Sequence, residues 1–167
     1  GYTSSNHSLT NLVSNAGVVA SDVTGVGTAR RNIGATEYGD DKGIFGYGYS
    51  SSNVSMTNLV SNVGVVSTDV TGVGTAREGP AACAYGYDKG IFAYGSTSVS
   101  NLVSNTGVVA TDVSGVGTAR DRPSACEYGG DKGIFGYGDG VAIVSLTNLV
   151  SNVGVVADDV TGVGTDR

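Results

Sequence analysis

The chain has 167 residues, 28 of them glycine, and a formal net charge of −6. Its nine lysines and arginines are scattered, so we expect no nucleic-acid partner, because phosphate binding needs clustered basic residues. No apolar run approaches the length of a membrane span, and we expect no membrane insertion. Abundant valine, threonine and tyrosine, broken by glycine and without sustained helical periodicity, predict an all-β chain.

One repeat accounts for the whole chain. The motif TNLVSN, or SNLVSN in one copy, begins at Thr10, Thr57, Ser100 and Thr147, so the copies are 47, 43 and 47 residues apart. We predict a single repeat domain, 1–167, with a half unit at 1–30 and full units at 31–77, 78–120 and 121–167. Four residues are missing between Gly95 and Ser100, which predicts a loop there, since loops tolerate changes of length.

Each full unit is predicted to hold four short strands. In unit 78–120 the first strand runs through AACAYG (81–86), and the second, after a turn at Tyr87 and Asp88, runs through KGIFAYG (89–95). The third strand runs through VSNLVSN (99–105) and the fourth through VVATDV (108–113). The tail SGVGTAR (114–120) leads to the next unit. Asn, Asp and Gly supply the positive φ that the turns require.

The order of TAR, a small-residue strand, DKGIFGYG, a third strand and a connecting turn resembles Kelch repeats along essentially the whole chain. The sequence departs from the Kelch pattern at Tyr-Gly (47–48, 94–95, 137–138), where Gly-Gly is usual, and lacks the tryptophan of the fourth strand. The resemblance implies a β-propeller of four-stranded blades, about 3.5 of them here. The near-identical copies are also similar to repetitive Kelch-like proteins of marine phages and bacteria, which implies a virion or extracellular, cell-surface location.

Three and a half blades cannot close into a ring alone. We therefore expect the chain to belong to a larger protein, or to associate with copies of itself or with other structural proteins. A head-to-tail dimer is one such assembly, although its junctions would bring two like halves together. A repeat this regular could instead stack as a β-solenoid or as a trimeric fibre, and both alternatives stay open.

Two recurring motifs could bind ligands but fit turns better. A phosphate loop needs the spacing G-x-x-x-x-G-K and a following helix, so we interpret D-K-G as a β-turn at Lys42, Lys89 and Lys132. The motif D-V-[ST]-G-V-G has too few carboxylates for a calcium loop, and we expect its aspartate to close the turn before the glycines at Asp22, Asp69, Asp112 and Asp159. As an alternative, these aspartates could hold a cation around a common axis.

Further recurring residues are interpreted as structural. We expect the arginines to make a repeated bond between blades, donating to backbone carbonyls or to an aspartate, at Arg30, Arg77, Arg120 and Arg167. A ring of arginines around an acidic ligand is the alternative. The glycines of KGIFAYG, Gly90 and Gly95, are predicted to lie where neighbouring blades approach closely.

The units differ mainly in two segments. One is the loop after the second strand: TSSNH (3–7), YSSSN (49–53), STS (96–98) and DGVAI (139–143). The other is the entry after the arginine: RNIG (31–34), EGP (78–80) and DRP (121–123). Binding scaffolds vary at such rims, and neutral drift gives the same pattern. The candidate binding residues are the entry residues and recurring tyrosines, for which packing is the alternative: Asn32, Glu78, Asp121, Arg122, Tyr38, Tyr85 and Tyr128.

The sequence offers no recognisable catalytic set. His7 is the only histidine, so we expect no Ser-His-Asp triad, no metal site and no cofactor. Cys83 and Cys126 occupy matching positions and are interpreted as small buried residues. A disulfide would need their Cα atoms within about 7 Å, and this state stays open.

The favoured function is a non-enzymatic structural or adhesive module, which the resemblance places in a phage tail or virion fibre. The alternative is a multivalent lectin with one weak sugar site per blade, which would bind surface glycans. A hydrolase of the sialidase type is less favoured, because the blades rarely differ at chemically important positions.

Overall fold

The computed structural model describes residues 2–166. This part of the chain is all-β, with no helix, and forms three three-stranded antiparallel sheets, each from one full repeat. Consecutive strands are neighbours in each sheet. The strands are β1 (Gly34–Tyr38), β2 (Lys42–Gly46), β3 (Thr57–Val60), β4 (Ala81–Tyr85), β5 (Lys89–Ala93), β6 (Ser100–Val103), β7 (Ser124–Tyr128), β8 (Lys132–Gly136) and β9 (Thr147–Val150).

The first two strands of each repeat form the predicted hairpin. Tyr85 pairs with Lys89, so a three-residue turn at 86–88 joins β4 to β5. Gly86 and Tyr87 take φ values of 59° and 70°, the left-handed conformation that tightens such a hairpin. The predicted bounds of these two strands are confirmed to within two residues.

The predicted fourth strand is wrong as a continuous strand. In repeat 78–120 the segment meets β6 only at two isolated bridges, Val103 with Val109 and Ser100 with Val113. Between these two bridges, β6 advances by three residues, from 100 to 103, whereas the facing segment advances by four, from 109 to 113. This mismatch of one residue is a β-bulge. The side chain of Asn101 fills the interrupted ladder, because its Nδ2 donates to the backbone oxygen of Ala110 at 3.0 Å. Each sheet is consequently three-stranded, with a bulged fourth segment at its edge.

The apolar core lies between neighbouring repeats. One cluster joins Tyr38, Ile44 and Tyr47 of repeat 31–77 to Phe92 and Val103 of repeat 78–120. A second cluster joins repeat 78–120 to Phe135 and Val150 of repeat 121–167 in the same way. The sheets approach each other most closely at their first strands, since every extensive contact between sheets involves β1 or β4.

The close approach predicted for Gly90 is confirmed. A Cβ at Gly90 would lie 2.6 Å from Thr36 Cγ2 and 3.0 Å from the backbone oxygen of Glu37, both in the preceding repeat. Gly95 has a different reason for being glycine. Its φ is 87°, and its Cβ would meet the backbone of Glu78 and Pro80 in its own repeat.

Residues 2–30 repeat the pattern of the third strand and the bulged segment. Their isolated bridges are Thr10 with Val23 and Val13 with Val19. In the described part of the chain, the other edge of residues 10–13 has no strand beside it. No helix in residues 2–166 is long and apolar enough to cross a membrane.

Replacing Gly90 by alanine should destabilise the fold by about 1–3 kcal/mol, because the added methyl group overpacks a closed contact. The matched control is Gly43→Ala, at the equivalent position of the first repeat. Its nearest neighbour would be Val60 Cβ at 3.6 Å, an ordinary contact. Urea unfolding monitored by circular dichroism measures both variants, and equal losses of stability would contradict the close packing of Gly90.

Candidate functional site

The recurring arginines join neighbouring repeats, as predicted. Arg120 is buried and donates to the backbone oxygens of Thr118 at 3.2 Å and Tyr137 at 2.7 Å. Its Nη2 donates to Asn148 Oδ1 at 2.7 Å. Its guanidinium also stacks on the Tyr94 ring of its own repeat, 4.0 Å from the ring centre, whereas Tyr137 and Asn148 belong to the next repeat. The arginine therefore links two repeats through one planar group.

Two further arginines bind the asparagine of the next repeat in the same way. Arg77 stacks on Tyr47 at 4.0 Å and donates to Asn101 Oδ1 at 2.8 Å, while Arg30 donates to Asn58 Oδ1 at 2.6 Å. Burial is the main influence that lowers the pKa of Arg77 and of Arg30. These guanidiniums are occupied by protein groups, which favours the structural interpretation over a ring around an acidic ligand. Arg167 lies outside the described residues.

The recurring aspartates do not close their own turns, so that expectation is wrong. Asp69 Oδ2 accepts hydrogen bonds from Thr28 N at 2.9 Å and Thr28 Oγ1 at 2.7 Å, from a tail 41 residues earlier. Its Oδ1 accepts a bond from Asn58 Nδ2 at 2.9 Å. The same set recurs at Asp112 and Asp159. Each aspartate thus fastens the preceding tail to the third strand of the next repeat.

Sequence reasoning missed two members of this network. They are the asparagine of T-N-L-V or S-N-L-V and the threonine of GVGT, for example Asn58 and Thr28. Both recur in every unit, as the arginine and aspartate do. Identical recurrence was the available signal, but recurrence does not say which residues meet. We call the four residues, in each repeat, the Arg-Asn-Asp-Thr network.

Removing the asparagine should cost stability at one junction. Asn58→Ala leaves a buried guanidinium and a carboxylate without their shared partner, which lowers the free energy of unfolding by about 1–3 kcal/mol. Asn62→Ala is the matched control, because Asn62 is exposed and donates only to Asp41 at the surface. Its effect should stay below about 0.5 kcal/mol. Urea unfolding compares the two, and an equal effect of both would refute the network's role.

The network also sets the protonation of its carboxylates. Burial acts to raise the pKa of Asp69, but the hydrogen bonds from Thr28 and Asn58 outweigh it, and the pKa lies below its ordinary value of 3.8. The pKa values of Asp112 and Asp159 are lowered for the same reasons. The folded state therefore holds these groups ionised more firmly than the unfolded chain does.

Acid should consequently weaken the fold. A carboxyl whose pKa is depressed by folding contributes stability above its unfolded pKa and loses that contribution as the pH falls through the folded pKa. The free energy of unfolding should thus decrease on acidification below about pH 4. High salt in the measurement screens the surface ion pairs, so that the network carboxylates dominate the result. Asp69→Asn should make the free energy of unfolding fall less steeply with decreasing pH. Stability that rises on acidification would contradict this assignment.

The lysine motifs form surface turns, as predicted. Each lysine pairs with the aspartate before it, with Nζ to Oδ1 distances of 2.8 Å at Lys42, 2.8 Å at Lys89 and 2.6 Å at Lys132. Asn105 Nδ2 also donates to Asp88 Oδ2 at 2.9 Å. A strand follows each turn instead of the helix that a phosphate loop requires.

The three candidate tyrosines occupy different environments. Tyr38 and Tyr85 are buried in the clusters between repeats. Tyr128, at the same position of the last repeat, is 39% exposed. The structure therefore places the first two in the core, which matches the packing alternative, and does not bring them together with the entry residues.

The four candidate entry residues lie along one row. We call it the entry row, built on residues 31–32, 78–79 and 121–122. Gly79 N donates to the backbone oxygen of Asn32 at 2.8 Å, and Arg122 N donates to that of Gly79 at 3.0 Å. Asn32 Nδ2 donates to Glu78 Oε2 at 2.7 Å, and Arg122 lies 3.3 Å from Asp121. Backbone bonds between equivalent turns thus hold these side chains in register.

A cleft of about 470 Å³ opens beside the entry row, lined by Tyr2, Arg31, Asn32, Ile33 and Arg122. The Arg31 guanidinium carbon lies 5.0 Å from the ring centre of Tyr2 and 4.6 Å from that of Tyr49. Burial is the main influence that raises the pKa of nearby Asp121, which the Arg122 charge opposes. The cleft therefore combines cations, an amide and an aromatic face, which suit a polar ligand.

The cysteines differ in environment. Cys83 is a buried thiol, as predicted, and burial raises its pKa to about 12. Cys126 is exposed, so the expectation of a buried residue is wrong there. The reason is that the hairpin of repeat 121–167 covers Cys83, whereas nothing in the described residues covers β7 in the same way. Both thiols are free.

The described residues hold no group of three or more His, Cys, Asp or Glu that could hold a metal ion. His7 Nε2 lies 2.9 Å from Thr3 Oγ1 in the first loop. No protein-family model matches the chain, and no curated protein matches its sequence. The resemblance to Kelch repeats therefore stands on the residues of the repeat alone.

Proposed function

We propose that the chain is a non-enzymatic structural and adhesive module, in which a regular array presents an apolar rim. The observation that carries this proposal is a row of exposed valines at equivalent turns. These turns join the third strand of each unit to its bulged segment, at 14–18, 61–65, 104–108 and 151–155, and we call them the outer turns. Val18, Val65, Val108 and Val155 are 66%, 64%, 64% and 62% exposed. Apolar side chains that recur in register at a surface are typical of interaction sites. We call these four residues the valine row.

The Arg-Asn-Asp-Thr network supports the scaffold part of this proposal. Its polar groups bind one another across the junctions, and so they hold repeats together instead of facing a substrate. The segments that vary between repeats lie at the rim, and residues 139–143 are exposed throughout. Junctions that recur in every repeat, with a rim that differs between repeats, suit a presenting scaffold.

We further propose that the repeats are arranged radially, as blades of a Kelch-like propeller. The support is that neighbouring sheets approach most closely at their first strands, as blades do near a propeller axis. Association with copies of itself or with other structural proteins, and a place in a phage tail, virion fibre or cell surface, complete the proposal. The location rests on the resemblance of the repeats.

A multivalent lectin is the second candidate, because of the cleft beside the entry row. Its amide and guanidinium groups can bind sugar hydroxyls, and the ring of Tyr2 offers an apolar face. Weak sites repeated along an array gain affinity through multivalency.

Adhesion through the valine row can be tested with immobilised bacterial cell envelopes. A variant with serine at all four positions of the row should lose most retention in biolayer interferometry, with an unchanged circular dichroism spectrum. Val141→Ser is the control, since it removes an exposed apolar side chain outside the row. Retention that is equal in the two variants would overturn the adhesive proposal.

A glycan array separates the lectin from the adhesive module. Binding that is lost in Asn32→Ala and Glu78→Ala but retained in the valine-row variant would favour the lectin. Absence of glycan binding at high protein concentration would refute it.

A further inference from the structure

Every described junction joins the tail of one repeat to the third strand of the next. Thr118 N and Oγ1 donate to Asp159 Oδ2 at 2.9 and 2.6 Å, and Asn148 Nδ2 donates to Asp159 Oδ1 at 2.9 Å. Gly117, just before Thr118, packs directly on Asn148 and Asp159, because a Cβ at Gly117 would lie 2.8 Å from Asn148 Nδ2.

The outer turns make a second contact at each junction. A Cβ at Gly107 would lie 2.8 Å from Leu59 Cδ2 and 3.0 Å from the ring of Tyr38 in the preceding repeat. Gly154 has the same relation to Leu102 and Tyr85, at 2.8 and 2.9 Å. The glycine therefore lets the outer turn lie directly on the leucine and tyrosine of its neighbour.

The first unit presents one half of such a junction. Asp22 accepts a hydrogen bond from Asn11 Nδ2 at 2.8 Å, but no threonine of residues 2–166 donates to it. A Cβ at Gly17 would have no atom within 4 Å, apart from its chain neighbours. Asn11, Asp22 and Gly17 thus form an acceptor face of the kind that the internal junctions fill.

The last repeat presents the other half. Thr165 is exposed, and a Cβ at Gly164 would have no atom within 4 Å in the described structure. Tyr128 and Leu149 are 39% and 40% exposed, whereas the equivalent Tyr38 and Tyr85 are only 4% exposed. The donor face, which matches the acceptor face of the first unit, is formed by four residues: Tyr128, Leu149, Gly164 and Thr165.

We propose that the chain associates head to tail with a second copy through these two faces. Thr165 of one copy donates to Asp22 of the second copy, and Tyr128 and Leu149 pack on Gly17 of the second copy. The occupant is a second copy because three described tails, at Thr28, Thr75 and Thr118, bind the same acceptor group within the chain. This inference deepens the self-association part of the proposed function and rests on it.

The contact is heterologous, because it joins the donor face of one copy to the acceptor face of another. One donor face and one acceptor face remain at the ends of each pair, so further copies add until a ring closes or a filament grows. Residues 2–30 lack a hairpin like β1 and β2, so the packing that Phe92 supplies inside the chain has no counterpart. We therefore expect association that depends on concentration and is weaker than the internal junctions.

Sedimentation velocity over a range of concentrations tests the proposal with the chain as it is. Thr165→Glu places a carboxylate against Asp22 and should weaken association at least about tenfold, the equivalent of one lost bond to a charged group. Thr111→Glu is the matched control, because Thr111 is exposed, lies in an internal repeat and is equivalent to the acidic Asp158 of the last repeat. Asp22→Ala should weaken association from the opposite face.

Mixing the two defective variants tests the direction of the contact. Asp22→Ala retains the donor face, and Thr165→Glu retains the acceptor face. An equimolar mixture should therefore form pairs with one copy of each and nothing larger. Absence of mixed pairs, or equal weakening by Thr111→Glu, would overturn the head-to-tail contact.

A variant with serine at Val65, Val108 and Val155 separates this inference from the proposed function. It should lose most adhesion and retain head-to-tail association, because it keeps Val18, which lies beside Gly17 in the acceptor face. A wild-type chain that stays monomeric at every concentration would overturn the inference, while retention on cell envelopes would still support the adhesive module.

Discussion

Burial of apolar side chains between neighbouring sheets is the constraint on which the rest of the structure depends. A single three-stranded sheet has two faces and little apolar area of its own, so it becomes stable only when neighbours cover it. Phe92 and Phe135 are fully buried because each enters the preceding repeat, where small residues receive it. The same packing restricts Gly90, which faces the backbone of the neighbouring first strand.

The Arg-Asn-Asp-Thr network makes this apolar contact specific. An arginine buried between two repeats would be costly unless its donors were satisfied, and Asn148, a backbone carbonyl and the Tyr94 ring satisfy those of Arg120. The aspartate then ties the preceding tail to the same asparagine. One network thus fixes both the spacing and the register of successive repeats, which apolar packing alone would leave looser.

The proposed function relies on the surfaces that this packing leaves uncovered. The junctions use the recurring polar residues, and the repeats differ mainly in the loops and the entry row. The valine row lies at the outer turns, where its side chains remain largely exposed. The two ends of the array remain uncovered for a different reason, since the matching half of each junction is not within the described chain. The proposed adhesion and the proposed self-association therefore use different surfaces, which meet only where Val18 adjoins Gly17.

The sequence by itself determined the period, the repeat boundaries and the hairpins, because turn residues and strand patterns act over a few neighbouring positions. It also indicated that the arginines join repeats. Only the tertiary structure decided that Asp69 binds Thr28, 41 residues earlier, and that Asn101 completes a bulge in place of a regular fourth strand. It also decided that Cys83 is buried while Cys126 is exposed. Identical sequence positions acquire different environments because burial depends on whether a neighbouring repeat covers the face, and a local motif does not encode its neighbour.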